Sequence, residues 1–162
     1  MKQEPIRPTD DEARALARRL LSGMRHAVLG SIDPETGIPL VTRIAVQTDD
    51  DGAPVALLSR LAAHTRALLA DTRAGLLVLD DEAVKGDAMT HARLSILARA
   101  EQIETTPALR DGWLVHDPKA KVYIDLPDFR FWRLVPESGL LNGGFGRAFR
   151  LTPDDMLKTP TA

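Results

Sequence analysis

The sequence predicts a mainly β protein, a barrel of about six strands with a few short helices at its periphery. Two observations support this fold class: strand-like apolar runs recur along the whole chain, and short polar turns join the first three of them. A closed or nearly closed barrel is favoured because closure removes exposed sheet edges. The length of 162 residues fits one domain, which we place at residues 9–157, with flexible tails at 1–8 and 158–162.

The first half of the chain predicts one amphipathic helix and three antiparallel strands. Thr9 and Glu12 have the spacing of a capping box, and apolar residues recur at helical spacing behind them, which predicts a helix over 10–24. Polar turns at 33–37 and 49–52 separate the apolar runs that follow. The predicted strands cover residues 26–32, 39–48 and 55–59.

The second half continues the pattern with a helix, further strands and shorter helical turns. A helical pattern opens near His64-Thr65, and residues 80–90 are predicted to form a polar loop. Thr106-Pro107 and Asp117-Pro118 each pair a capping residue with proline, which predicts two short helices. Strands are predicted at 74–79, 91–104 and 128–135; stretches at 140–141 and 147–151 flank a glycine-rich segment, and a last helical turn is predicted at 153–157.

Composition narrows the function classes. The formal net charge is −2 at pH 7, without the basic excess typical of nucleic-acid binders. There is no cysteine, which excludes disulfides and thiolate ligands, and the four histidines lack an HxxxH spacing, so we expect no metal site. No apolar run has the length of a membrane span, and the first 25 residues lack the apolar core of a signal peptide. We therefore expect a cytoplasmic protein with no membrane or nucleic-acid partner.

The most informative segment is 55–78, where an apolar strand ends in Ser59-Arg60 and a helix opens at His64-Thr65. The first N–H groups of a helix have no internal partner, and the aligned peptide dipoles favour an anion there. Hydroxyls and positive charge at this point indicate a phosphate site, to which Arg43 on the preceding strand could add a guanidinium group. The alternative is a plain strand–helix–strand connection with surface charges.

Five features follow one another along the chain: Arg43, Ser59, His64-Thr65, Arg93 and the closing segment LNGGFGRA. In this order the chain resembles the FMN-binding split-barrel superfamily of pyridoxamine 5′-phosphate oxidase-like proteins, and most of all its haem-iron-utilisation branch. The resemblance implies a homodimer of six-stranded split barrels with two FMN sites at the dimer interface. It also implies that the flavin carries the redox chemistry, while the protein supplies position and electrostatics.

The resemblance assigns a cofactor-binding role to nine residues. Arg43 matches an arginine that approaches the flavin and its phosphate, and Arg93 matches an arginine on the long strand that helps hold the cofactor. His91 occupies a place where relatives often carry glutamine near the isoalloxazine ring. Trp132 and Phe145 lie where the C-terminal part of the chain nears the ring or the substrate. The remaining residues, which surround the phosphate, are Ser59, Arg60, His64 and Thr65.

The sequence thus predicts an FMN-binding protein that acts as a flavin-dependent oxidoreductase on a small-molecule substrate, with the substrate and the catalytic residues unassigned. The closing GGFGRAFRL differs from the substrate-gripping end of pyridoxamine phosphate oxidases proper, which argues against that particular activity. Two alternatives stay open on the same scaffold. One is a haem-binding or haem-trafficking protein without flavin, and the other is a dimeric interaction module that has lost its cofactor.

Overall fold

Six strands close into an antiparallel barrel in the computed structural model, which describes residues 5–83 and 85–158. The strands within these residues are β1 (Ile6–Arg7), β2 (His26–Ile32), β3 (Pro39–Thr48), β4 (Pro54–Ser59), β5 (Arg73–Leu79), β6 (Arg93–Ile103), β7 (Phe129–Asn142) and β8 (Ala148–Leu151). The α-helices are α1 (Asp11–Gly23), α2 (Ala63–Ala70), α3 (Pro107–His116) and α4 (Pro153–Met156). Short 3₁₀ turns lie at Ala88–Thr90 and Pro118–Val122.

The barrel strands follow the order β7-β4-β3-β2-β5-β6, and β6 returns to pair with β7. Every pairing within the barrel is antiparallel. β8 adds to the C-terminal part of β7, and β1 pairs with β8 in parallel. The predicted mainly β fold with a six-stranded barrel is therefore confirmed.

Alternation along each strand sends one set of side chains into the barrel and the other set outward. Leu29, Leu76, Ile96 and Trp132 are buried inward-facing residues of four different strands, and they belong to one core cluster. A smaller cluster packs α3 on the outside of the barrel. Each helix in the described part of the chain is too short or too polar to cross a bilayer.

The two ends of the barrel are covered by different helices. Leu68 of α2 joins the inner core, and α2 connects the end of β4 to the start of β5. Leu20 of α1 joins the same core, and Arg19 of α1 binds Asp80, directly after the end of β5, with 2.9 Å between Nη2 and Oδ2. The α2 end therefore lies at the start of β5, and the α1 end lies where β5 finishes.

The N-terminus of α1 differs from the predicted capping box. Asp10 caps the helix, with its Oδ1 accepting a 2.8 Å hydrogen bond from the N–H of Ala13. Thr9 instead donates its hydroxyl to the carbonyl oxygen of Arg150 at 2.8 Å, which ties the start of α1 to β8. The capping box at Thr9 was wrong because Asp10 is an equally good cap one residue nearer the helix.

The longest strand, β7, extends well beyond the predicted end at residue 135. Proline and glycine within 136–139 disfavour a strand by local propensity. β7 carries one extra residue, Glu137, opposite the Leu97–Ala98 step of β6, so Pro136 pairs with Ala98, Ser138 pairs with Leu97, and the ladder continues past the interruption. The second short helix, predicted to begin at Asp117-Pro118, is a 3₁₀ turn over Pro118–Val122 rather than an α-helix.

Regular structure begins at Ile6, before the predicted start of the domain at residue 9. Ile6 and Arg7, which the sequence analysis places in a flexible tail, pair with Ala148 and Phe149 of β8. Residues 1–4 and 159–162, which make up most of the two predicted tails, lie outside the described residues.

Candidate functional site

A cavity of about 270 Å³ lies at the α2 end of the barrel. It is bounded by the last residues of β4, by α2, and by the paired ends of β6 and β7, where Gln102 lies opposite Trp132. Three of the nine predicted cofactor residues meet here. The full lining is Leu58, Arg60, Thr65, Leu69, Gln102, Asp128, Arg130 and Trp132.

Two buried polar groups of this cavity have no hydrogen-bond partner within residues 5–83 and 85–158. Thr65 is 2% exposed and Trp132 is 3% exposed, yet neither Oγ1 of the threonine nor Nε1 of the tryptophan is paired. A buried polar atom without a partner costs about 1–3 kcal/mol. The protein therefore maintains two groups here that a bound molecule or a water could satisfy.

The N-terminus of α2 is also open to an anion. Its N-cap is Ala62, no side chain of the described residues caps the helix, and its first turn contains no acidic residue. Free N–H groups and the helix dipole both favour negative charge at this position. Thr65 lies in this first turn, so its hydroxyl adds a further donor at the same place.

Two arginines line the cavity, Arg60 and Arg130. Arg60 follows β4 directly, and Arg130 stands two residues before Trp132 on the same face of β7. Neither forms an ion pair with any residue that the structure describes; Arg130 donates from Nη1 to the carbonyl oxygen of Phe129 at 2.8 Å. Both guanidinium groups therefore keep most of their donors for an anionic ligand.

Ser59 is held by a carboxylate rather than left free. Its hydroxyl donates to Oδ2 of Asp128 at 2.6 Å, and its Oγ accepts from the N–H of Leu61 at 3.1 Å. The N–H of Arg60 donates to the carbonyl oxygen of Asp128 at 2.7 Å. These bonds fix the junction between β4 and β7, and they occupy the proton that Ser59 was predicted to offer to a phosphate.

His64 lies beside Thr65 on α2 and faces β3. Its Nδ1 is 3.1 Å from Oγ1 of Thr42, and burial lowers the pKa of the imidazole below its ordinary value. The side chain is therefore mostly uncharged near pH 7. His64 can take part in hydrogen bonding or metal ligation at this end, but it adds little positive charge.

Arg43 lies on the outside of the barrel. In the sheet register it stands opposite Val28 of β2, and Val28 stands opposite Leu77 of β5. Its inward-facing neighbour Ile44 is in the barrel core, so Arg43 faces away from the cavity. Within one subunit the structure does not bring Arg43 to the other predicted phosphate ligands.

Three predicted residues gather near the opposite, α1 end. Nη1 of Arg93 donates to the carbonyl oxygens of Met89 at 2.9 Å and His91 at 3.3 Å. Nε2 of His91 donates to the carbonyl oxygen of Lys85 at 2.7 Å. Phe145 is 98% exposed in the connection between β7 and β8. None of the three lines the cavity beside α2.

The cavity contains five residues that the sequence analysis did not assign to the site. Asp128 and Arg130 are recoverable from the sequence, because they alternate with Trp132 along a predicted strand and must share its face. Gln102 enters only through the pairing of β6 with β7, which connects distant parts of the chain. Leu58 and Leu69 supply apolar walls without a motif of their own.

The antiparallel barrel, closed by the pairing of β6 with β7, defines a split-barrel protein. A family model described as Pyridoxamine 5′-phosphate oxidase matches residues 13–142, which run from α1 to the end of β7. The chain belongs to this family.

Two relatives of this chain are heme oxygenases. The chain is 30% identical over 135 residues to the chloroplastic non-canonical heme oxygenase HOZ of Arabidopsis thaliana, covering 82% of this chain and 40% of that protein. It is 30% identical over 139 residues to the heme oxygenase HutZ of Vibrio cholerae, covering 80% of this chain and 75% of that protein. The chain thus spans less than half of the plant relative.

A solved structure is also similar to this chain in fold and sequence. The heme binding protein from Mycobacterium smegmatis superimposes with a TM-score of 0.81 at 29% identity, covering 93% of this chain and 61% of that one. The resemblance drawn from Arg43, Ser59, His64-Thr65 and Arg93, including its haem-utilisation branch, is therefore confirmed at the level of the family.

Proposed function

We propose that the protein binds FMN, with the phosphate in the cavity at the α2 end, and acts as a flavin-dependent oxidoreductase on a small-molecule substrate. One observation carries the proposal. Among the described residues, the buried hydroxyl of Thr65 has no hydrogen-bond partner and stands at an uncapped helix N-terminus, in a cavity shared with Arg60 and Arg130, which form no ion pair there. A phosphate dianion needs several donors and at least one cation, and this donor set meets that need.

The surroundings also suit the rest of the cofactor. A second, more open groove of about 490 Å³ adjoins the cavity and shares Gln102 and Arg130 with it. It adds apolar side chains of the kind that a flat ring requires. These are Ile103, Ile124, Leu126 and Phe129. When bound, FMN supplies hydride or single-electron transfer, and the residues of this chain bind and orient it.

The direct test is a titration of FMN into the purified protein, followed by quenching of flavin fluorescence. Thr65→Val keeps the shape of the side chain and removes the hydroxyl, so we expect affinity to fall about tenfold. Arg150→Gln removes a positive charge from the exposed face of β8 and serves as the control. Absence of saturable FMN binding by the unchanged protein would refute the proposal.

We further propose that a second copy of the chain covers the outer face of strands β3, β2, β5, β6 and β7. Val41, Gly30, Gly75 and Leu97 follow one another across four of these strands in the register. Val41 is 65% and Leu97 is 62% exposed, an apolar surface that single subunits rarely leave uncovered. Arg43 lies on this face, so its predicted contact with the flavin depends on the dimer.

Light scattering coupled to size exclusion tests the dimer at micromolar concentration. Leu97→Glu places a charge in the centre of the proposed interface and should convert the dimer to monomer. Val122→Glu makes the same kind of change at an exposed valine beside α3 and should leave the dimer intact. A monomeric unchanged protein would contradict the proposed interface.

Haem binding is the second candidate function, favoured by the names of the relatives in Arabidopsis thaliana and Vibrio cholerae. His64 has the chemistry of an iron ligand, because its imidazole is mostly neutral near pH 7. With Nδ1–H donated to Thr42, Nε2 keeps a free lone pair. Hemin titration would then give a Soret band that His64→Ala weakens and that the control His116→Ala preserves.

The two cofactors can also be compared directly. If both occupy the α2 end, FMN should reduce the Soret change that hemin produces, and hemin should release bound FMN. A protein that binds neither would fit the cofactor-free dimeric module instead, and would leave the outer face as its functional surface.

A further inference from the structure

The cavity at the α2 end contains a carboxylate as well as two guanidinium groups. Asp128 stands directly before β7 and lines the cavity together with Arg60 and Arg130. Its position is fixed on two sides. Oδ2 accepts the hydroxyl of Ser59 at 2.6 Å, and its main-chain carbonyl oxygen accepts the N–H of Arg60 at 2.7 Å. The carboxylate is therefore part of a built site rather than a loose surface group.

This carboxylate keeps unused hydrogen-bonding capacity. An ionised carboxylate accepts about four hydrogen bonds, and Ser59 provides the one side-chain donor that the described residues bring to it. Neither Arg60 nor Arg130 lies within ion-pair distance of Asp128 in the described part of the chain. Asp128 thus presents an acceptor to the cavity, and its negative charge is not cancelled by a close cation.

The pairing of two cations with one carboxylate restricts the ligand. An anion without hydroxyl groups is attracted by the two arginines but repelled by the carboxylate of Asp128, because like charges at close range repel. A ligand with hydroxyl groups next to its anionic group makes two favourable contacts. Its anionic group binds the arginines, and its hydroxyls donate hydrogen bonds to the carboxylate.

We propose that Asp128 is a specificity-determining residue that selects the phosphate ester of a polyhydroxylated chain. This inference rests on the proposed function of the cavity. In FMN the ribityl hydroxyls follow the phosphate directly, so they are the donors that Asp128 accepts. The propionates of haem carry no such hydroxyls, and Asp128 therefore favours FMN over haem at this end of the barrel.

Two small phosphates isolate the effect from that of the flavin ring. Ribitol 5-phosphate carries the hydroxyls, and n-pentyl phosphate has a chain of the same length without them. Isothermal titration calorimetry should show that the unchanged protein prefers ribitol 5-phosphate about tenfold, the range expected for charge-assisted hydrogen bonds. In Asp128→Asn we expect this preference to vanish, and pentyl phosphate to bind about tenfold more tightly than before.

Matched variants keep the result interpretable. Asparagine can still accept the Ser59 hydroxyl through its amide oxygen, so Asp128→Asn preserves the junction with β4. Asp154→Asn removes one carboxylate from exposed α4 and should leave the preference unchanged. Ser59→Ala removes the serine hydroxyl and leaves the carboxylate, so the preference for ribitol 5-phosphate should persist.

The outcomes separate the two levels of the proposal. If the unchanged protein binds FMN but does not distinguish the two phosphates, or if Asp128→Asn distinguishes them as well as before, the role of Asp128 is refuted and the cavity remains an FMN site. If the unchanged protein binds neither FMN nor either of the two phosphates, the proposed function itself fails.

Discussion

The two ends of the barrel contrast in how their polar groups are used. At the α2 end, the buried hydroxyl of Thr65 and the buried indole N–H of Trp132 have no hydrogen-bond partner among the described residues, and Arg60 forms no ion pair with any of these residues. At the α1 end, Arg93 and His91 are bound to main-chain carbonyl oxygens. Unsatisfied donors cost stability unless a ligand completes them, whereas satisfied donors already serve the fold.

This contrast separates residues that sequence resemblance groups together. Both ends contribute to the predicted cofactor set, yet within one subunit Arg60, Thr65 and Trp132 are the members that line the cavity beside α2. The residues at the α1 end, and Arg43 on the outer face, lie away from this cavity within one subunit. Their roles stay predictions.

The largest expected effect concerns the two aromatic residues of the predicted site. Trp132→Ala should lower the free energy of unfolding by about 3–5 kcal/mol, because Trp132 is buried in the barrel core. Phe145→Ala should change it by less than about 0.5 kcal/mol, because the ring is exposed. Urea denaturation followed by circular dichroism measures both. Equal losses of unfolding free energy in the two variants would contradict the difference between a buried aromatic residue at the α2 end and an exposed one at the α1 end.

The next effect concerns the arginines. Replacing Arg60 and Arg130 together with glutamine should weaken FMN binding by at least about a hundredfold, since each loses charge-assisted donors. Arg93→Gln should change the affinity less than about threefold, because its guanidinium group is already bonded to the loop before β6. If a fluorescence titration showed a larger loss of FMN affinity for Arg93→Gln than for the double variant, the site would lie at the α1 end or on the outer face instead.

A smaller effect tests the unpaired hydroxyl of Thr65. Without ligand, Thr65→Val should leave the free energy of unfolding unchanged or raise it by up to about 1 kcal/mol, because a buried hydroxyl without a partner is removed. The same variant should gain less thermal stability from a given concentration of FMN than the unchanged protein does, in line with its weaker binding. A clear loss of stability without ligand would mean that the hydroxyl has a partner in the fold.

The smallest effect is the pH dependence from His64. Burial lowers the pKa of this imidazole in the folded state, so the unfolded chain binds protons first as the pH falls. The free energy of unfolding should therefore decrease as the pH drops below about 6.5, and level off below the folded pKa. His64→Gln should flatten this part of the profile between pH 5 and 7. An unchanged profile would place the titration elsewhere.

Local patterns were sufficient for most of the fold. The predicted strands at 26–32 and 39–48 match the observed elements, because alternation and flanking turns determine them over short distances. β7 was predicted too short, since Pro136 argues against a strand locally and only the pairing with β6 carries the ladder across it. Asp10, not Thr9, caps α1. Both residue types are good N-caps, so propensity alone could not choose between the two adjacent positions.

For the site, the amino-acid order alone determined the β4–α2 junction and the residues Arg60 and Thr65, since helix N-termini and their flanking donors are written in adjacent positions. Tertiary structure decided the rest. The pairing of β7 with β4 brought Trp132 to that junction and gave Ser59 a carboxylate partner in Asp128, 69 positions away, and the pairing of β7 with β6 added Gln102. It also turned Arg43 outward, because strand alternation and burial, rather than sequence order, determine which face of a barrel a side chain occupies.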